Sequence, residues 1–204
     1  NLGSARHGFP NHLLNRNMRL RTDFPLQLPS AVQALPGRSQ ALVITNVHHV
    51  HRRTIQPPFP PDCREALFGL GCFWGAEQVF WQLDGVYTTA VGYSGGMTPN
   101  PNYEEVCSGL TGHSEVVQVV YEPTQIDYLA LLCVFWEAHD PTQGMRQGND
   151  IGTQYRSSIY TLDSDQAQLA TESKQHYGKT LAVTGRCAIT TEIATATAFY
   201  YAED

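Results

Sequence analysis

The nonapeptide Gly69-Leu-Gly-Cys-Phe-Trp-Gly-Ala-Glu77 constrains this chain more than any other stretch. The apolar run over residues 66–70 leads into it and reads as a short buried strand. Beyond it Val79, Phe80 and Leu83 recur at helical spacing. Cys72 therefore falls where a strand turns into a helix. The two glycines before it permit a sharp turn, and Phe73 and Trp74 set an aromatic wall beside the sulfur. Unpaired N–H groups and the positive dipole end at a helix start favour a thiolate. Two readings of Cys72 stand open here: a nucleophile, or a small hydrophobe closing a buried strand.

The 204 residues suffice for one well-buried domain, and 42% apolar with 16% charged residues fits a globular chain rather than a disordered one. A net charge of -6 argues against a broad grip on nucleic acid. No apolar run approaches the ~20 residues of a membrane span. Five cysteines at irregular positions, without a C-x-x-C, are not a disulfide framework, so a reducing compartment is expected. The sequence starts at Asn1 rather than Met, which reads as processing or a fragment. Up to Thr22 it carries Arg6, Arg16, Arg19 and Arg21 and no acidic residue, the bias of an organelle transit peptide or of an inconsequential basic leader. Residues 1–33 are thus expected to be a disordered leader, and the protein to reside in the mitochondrion, the cytoplasm or both.

Prolines punctuate the chain from Asp23 to Asp62, which predicts an extended N-terminal arm over 34–62 with one strand candidate at 41–45. His48, His49 and His51 lack Cys or acidic partners at a recognised spacing and read as surface histidines, not a metal site. In the remainder, 63–204, strands are expected over 85–96, 112–121, 155–160, 187–193 and 198–201. Helices are expected over 103–107, 126–139 (Asp127 in the first turn) and 163–177, the last capped by Asp163 or Ser164. The long loop 140–154 shows no structure of its own and is a functional candidate. This order predicts an α+β fold: a two-layer sandwich, its mixed sheet carrying helices around a ferredoxin-like core.

Three chemistries compete. A dinucleotide loop fails, because Gly69, Gly71 and Gly75 are spaced G-x-G-x-x-x-G with no acidic residue about twenty further on. A cysteine hydrolase built from Cys72, His113 and Asp150 stays open, since such partners meet only in space. Glu115 opens an otherwise apolar strand, where desolvation would raise its pKa and suit it to give a proton near neutrality; a solvated strand-start carboxylate is the alternative.

Taken together, the nonapeptide, Gly112-His-Ser-Glu-Val116, Asp140-Pro-Thr-Gln-Gly-Met-Arg-Gln-Gly-Asn-Asp150, Gly152-Thr-Gln-Tyr-Arg156 and Phe199-Tyr-Tyr-Ala-Glu-Asp204 closely resemble peptide methionine sulfoxide reductase, type A. Around Ala34-Leu-Pro-Gly-Arg38 and His48-His49 the likeness is to vertebrate members. The resemblance implies an α+β peptide-methionine (S)-S-oxide reductase. Such an enzyme repairs oxidised proteins and free methionine S-sulfoxide, with no bound cofactor and with thioredoxin or a small dithiol as reductant. It makes Cys72 the nucleophile and Glu115 the acid. Phe73 and Trp74 would hold the S-methyl group, Tyr103 and Tyr155 would bond the sulfoxide oxygen, and Asp150 would support the site. A sulfoxide oxygen leaves only once protonated, so thiolate and acid are needed together.

Members of that family continue beyond the Tyr-Ala-Glu-Asp segment, many into a tail with recycling cysteines, whereas this sequence stops at Asp204. The catalytic segment 63–204 thus reads as cut short, competent for one turnover per Cys72 but slow with thioredoxin. A sulfoxide-binding fragment impaired in catalysis is the alternative. Cys107 has no assigned recycling role, and Cys63, Cys133 and Cys187 read as packing or surface residues. The protein is expected to be a monomer, without nucleic-acid or membrane partners.

Overall fold

The computed structural model describes residues 26–203, so the readings made on residues 1–25, including their arginines, lie outside the described part. Strand β1 (Arg64–Gly69) feeds α1 (Phe73–Trp81), followed by β2 (Val86–Ser94), α2 (Tyr103–Cys107) and β3 (Ser114–Tyr121). Next come α3 (Tyr128–Ala138), a hairpin of β4 (Arg146–Gln147) and β5 (Asp150–Ile151), and a 3-10 turn at Thr153–Tyr155. The chain closes with β6 (Ser158–Thr161), α4 (Ser164–Val183), β7 (Glu192–Thr195) and β8 (Phe199–Tyr201). One sheet runs β7-β6-β1-β3-β2-β8. All its pairs are antiparallel except β6 with β7, so the sheet is mixed and the fold α+β. Strands β6-β1-β3-β2, with α1 and α3 as connections, form the ferredoxin-like core.

Every residue of β3 is buried, as its continuous β-branched run requires of a central strand. Alternation along β3 sends Val117, Val119 and Tyr121 into the cluster with Phe68, Phe80, Leu132 and Phe135, on the helix side. Val116 faces the other way, against Leu67 and Tyr160. Glu115 has the parity of Val117 and so faces the helix layer at the end of the strand where α1 begins. That parity positions the site.

Several local expectations are corrected. Helix α1 starts at Phe73 and buries Phe73, Ala76, Glu77 and Phe80. In α3 the N-cap is Asp127, whose carboxylate accepts the Ala130 N–H at 2.7 Å. Leu129 and Cys133 face outward there, so Cys133 is no packing residue. Loop 140–154 is not structureless, since it holds the β4–β5 hairpin and the 3-10 turn; Tyr155 belongs to that turn and not to a strand. Helix α4 runs on to Val183, and residues 187–191 are not strand. Strand β7 forms only where β6 offers a parallel partner, at Glu192–Thr195. The stretch 41–45 is not taken into the sheet, and Val43 stands 99% exposed: β-propensity yields a strand only where an edge offers its ladder.

Residues 26–62 carry no helix or strand and follow the domain through polar anchors. The Leu35 N–H donates to the Leu110 carbonyl at 3.0 Å, and Arg38 donates to Glu105 at 2.9 Å beside α2. Further on, His48 sits on β2 and Arg53 donates to the Tyr87 carbonyl at 2.9 Å. No described helix is long and apolar enough to cross a membrane.

Candidate active site

Two glycines shape the turn that presents Cys72. A Cβ on Gly69 would stand 2.3 Å from Ser158 Oγ and 3.0 Å from the Glu115 carbonyl, so the end of β1 is wedged between β6 and β3. Gly71 has φ +98°, and a Cβ there would meet Gln147 at 2.8 Å. The turn is thereby pressed against the β4–β5 hairpin. Cys72 takes the N-cap position of α1, half-buried and without a strict capping hydrogen bond. Burial raises its pKa above 9.0, the N–H groups of Trp74 and Gly75 pull it down, and the charges of Glu115 and Asp150 raise it again. The dipole-favoured thiolate expected from sequence is therefore corrected. The N–H groups do face the sulfur, but desolvation outweighs them, and the resting group is a thiol.

Glu115 is 2% exposed, and its Oε2 accepts the N–H of Phe73 at 2.9 Å. A carboxyl is thus tied to the residue that follows Cys72. Burial pushes its pKa up to about 7; the Phe73 N–H opposes the rise and the charge of Asp150 adds to it. At neutral pH such a group both holds and yields a proton readily.

Hydroxyls surround this carboxyl. Tyr93 lies opposite Glu115 in the β2–β3 register, fully buried, its ring 5.8 Å from that of Phe73. Tyr103 starts α2, and Tyr155 ends the 3-10 turn. Glu115 raises the pKa of all three, behind larger causes: burial for Tyr93 and Tyr155, and for Tyr103 the hydrogen bond to Cys107, which takes it to about 12. All three stay protonated and able to donate. Tyr103 is fixed from far along the chain, because its N–H donates to Glu203 Oε1 at 2.7 Å. The other oxygen of Glu203 accepts from the Tyr93 hydroxyl at 3.5 Å.

Asp150 is exposed on β5 opposite Gln147, close enough for its charge to bear on both Cys72 and Glu115. Below the site Arg156 is almost wholly buried. It donates to Glu192 at 2.8 Å, to the Thr153 carbonyl at 2.8 Å, to the Gly112 carbonyl at 3.0 Å and to the Tyr160 hydroxyl at 2.9 Å. One guanidinium thus joins the turn bearing Tyr155 to the approach of the strand bearing Glu115.

The hydrolase arrangement is not formed. His113 Nδ1 accepts the Gly96 N–H at 3.0 Å and its Nε2 donates to the Thr98 carbonyl at 2.8 Å, so no ring nitrogen is left for Cys72. Of the arm histidines, His49 is exposed as expected, and His48 is corrected. His48 is 3% exposed, not a surface residue. Its Nδ1 accepts the N–H groups of Val50 and His51 at 3.0 and 2.9 Å. Its Nε2 therefore donates, at 2.8 Å, to Thr89 Oγ1, whose hydroxyl donates to Glu77 at 2.8 Å. His48, His49 and Glu77 bring ligand atoms within 4.8 Å of one another, but His48 has no free lone pair to offer a cation.

Sequence reasoning passed over Tyr93, Glu203 and the placement of Cys107. Cys107 ends α2, its thiol bonded by Tyr103 and within the field of Glu115 and Glu203. For Tyr93 the missing signal is strand register, which one sequence does not display.

A thiol, a buried acid and a ring of hydroxyl donors meet at one helix start, and residues 64–204 match the family model for peptide methionine sulfoxide reductase. The chain belongs to that family. Curated relatives described as peptide methionine sulfoxide reductase MsrA include one from Azotobacter vinelandii, 60% identical over 92% of this chain and 88% of that protein. Another, from Ectopseudomonas mendocina, is 61% identical over 87% and 81%. Among solved structures, methionine sulfoxide reductase A of Corynebacterium diphtheriae aligns with TM-score 0.81 and 45% identity, covering 87% of each chain. Reduced Mxr1 from Saccharomyces cerevisiae aligns with TM-score 0.68 and 29% identity, over 78% of this chain and 88% of that one. Sequence and fold thus point to the same family.

Proposed function

We propose that this member of the peptide methionine sulfoxide reductase family reduces methionine S-sulfoxide, in proteins and free, with Cys72 as nucleophile and Glu115 as acid. The observation that carries the reading is the 2.9 Å bond from the Phe73 N–H to a Glu115 carboxyl whose pKa stands near 7. It sets a proton donor one residue from the only thiol at the start of α1. In the proposed step the Cys72 sulfur, as thiolate, attacks the sulfoxide sulfur while Glu115 protonates the oxygen. Oxygen passes to Cys72, the substrate leaves as methionine, and Cys72 becomes a sulfenic acid. The substrate sulfur is reduced by two electrons and the cysteine sulfur oxidised by two.

Phe73 and Trp74 supply the apolar side for the S-methyl group, Tyr103 and Tyr155 donate to the oxygen, and the charge of Asp150 helps hold Glu115 protonated. A pyramidal sulfur fixed at methyl, oxygen and chain admits one epimer. A second thiol then condenses with the sulfenic acid, releasing water, and a further thiol frees Cys72. Thioredoxin or a small dithiol fills that role here; the yeast relative Mxr1 has been solved in complex with Trx2. The protein acts as a monomer. Its leader, residues 1–33, directs import into mitochondria, and a reporter carrying it that stayed cytosolic would refute that assignment.

The test is reduction of dabsyl-methionine S- and R-sulfoxides, with dithiothreitol and with thioredoxin in separate reactions. The S epimer yields dabsyl-methionine and the R epimer none. Equal yields from both, or none from either, overturn the reading.

A further inference from the structure

One groove beside the site is built by the arm. It has a volume of about 280 Å³, and its walls include Val47 and Ile55 from the arm, Trp74 from α1, Val91 from β2, and Ala202 after β8. Trp74 is 69% exposed and Val47 49%. The arm side of the groove is fixed in place. His48 is bonded through Thr89 to Glu77, Arg53 lies over the Tyr87 ring at 4.7 Å, and the His48 N–H donates to the Arg53 carbonyl at 2.8 Å. The floor residues His48, Thr89 and Glu77 satisfy one another. Thr45, His49, Tyr201 and Glu203 also line the groove, so it offers a ligand apolar wall beside polar atoms at its margin.

Trp74 connects this groove to the reacting centre. Its backbone N–H faces the Cys72 sulfur and its ring lies 6.3 Å from that of Phe73, while its exposed surface lines the groove. From these observations we infer that the groove is a subsite for polypeptide adjoining the oxidised methionine, and that it takes an apolar side chain two or three residues away. The inference rests on the reading of the site as a sulfoxide reductase and adds the part of the substrate that a free amino acid lacks. An extended chain advances ~3.3 Å per residue, so a side chain two or three residues away stands roughly 7–10 Å along the backbone from the oxidised methionine. The size suits one or two side chains, lying just below the range of pockets that hold whole small ligands.

The chemistry of the occupant follows from that of methionine. Methionine fills apolar interiors, and its oxidation makes it polar and loosens the packing around it. The residues exposed together with an oxidised methionine are therefore often apolar neighbours. An apolar groove next to a sulfoxide pocket selects such loosened segments over sulfoxides in polar surroundings.

The experiment is steady-state kinetics with dithiothreitol on three substrates. These are N-acetyl-methionine S-sulfoxide and two peptides bearing methionine S-sulfoxide, with Leu or with Ser at the two- and three-residue positions. Wild type is expected to favour the Leu peptide in kcat/KM by roughly 5- to 10-fold, the scale of a small apolar contact. Val47→Glu and the milder Val47→Ser are expected to erase that preference, chiefly through KM. The acetylated amino acid should stay within about twofold of wild type, because it does not reach Val47. Absence of the preference in wild type, its survival in both variants, or a parallel loss on the acetylated substrate each overturns the subsite. Failure of wild type on the acetylated substrate overturns the reductase reading instead.

Discussion

In the proposed step Cys72 and Glu115 hold one proton between them. Glu115 titrates near 7 and Cys72 above 9.0. The thiolate–acid pair is therefore the minor tautomer of a singly protonated couple, most populated between those limits. The pH profile of kcat/KM is expected to rise through about 7 and fall above the thiol pKa. In Glu115→Gln the rising limb should move up to the thiol pKa and the rate fall ~10²–10⁴-fold; an unmoved limb near 7 would assign it elsewhere. Cys72→Ser should abolish reduction.

The same carboxyl bears on stability with a definite sign. Its folded pKa is raised from 4.5 to about 7, so the native state binds the proton more tightly than the unfolded chain does. Stability then declines as pH rises from about 4.5 towards 7, and the loss persists above. Glu115→Gln cannot ionise and still offers an oxygen to the Phe73 N–H. It should be more stable than wild type above pH 7, on the order of 1–3 kcal/mol, and not below pH 4. Urea midpoints at the two pH values decide this. A variant that is slower and firmer shows that the acid is held against the preference of the fold.

At the scale of elements, the turn between β1 and α1 combines two demands. Gly71 must adopt φ +98° and must admit Gln147. Gly71→Ala is expected to lose about 1–3 kcal/mol and to displace the thiol from Glu115, lowering kcat along with the urea midpoint. The Asp127 cap of α3 lies away from the chemistry. Asp127→Ala should remove about 1 kcal/mol with kcat unchanged, which separates stability from function.

Elements whose residues carry their own partners were legible in the sequence. The strand β3 is a β-branched run, α3 is apolar on its inner side, and Asp163 caps α4 as its position before the helical pattern suggested. Elements defined by a neighbour were not. Strand β7 depends on a parallel edge supplied by β6, and the apolar stretch 41–45 has strand-like residues without joining the sheet. The site divides in the same way. Cys72 and Glu115 stand out as chemical exceptions within apolar runs, whereas Tyr93 reaches Glu115 through register and Glu203 reaches Tyr103 across a hundred residues of chain.

At the scale of the whole molecule, all five cysteines are free thiols. No covalent tie holds the described fold, and stability rests on the shared core and on long-range polar anchors such as Arg156. The thermal midpoint should therefore be the same, within about 1 °C, with and without dithiothreitol when the protein starts reduced. For protein purified without reductant, a clear drop on adding dithiothreitol would reveal a bridge between two of these thiols.

The bond between Tyr103 and Glu203 joins α2 to the segment just after β8, a hundred residues further along the chain. During synthesis from the N-terminus, the turn with Cys72 and the strand with Glu115 leave the ribosome well before residue 203 exists. On the proposed mechanism, a nascent chain can therefore bring Cys72 and Glu115 together while Tyr103, the proposed donor to the sulfoxide oxygen, still lacks its Glu203 partner.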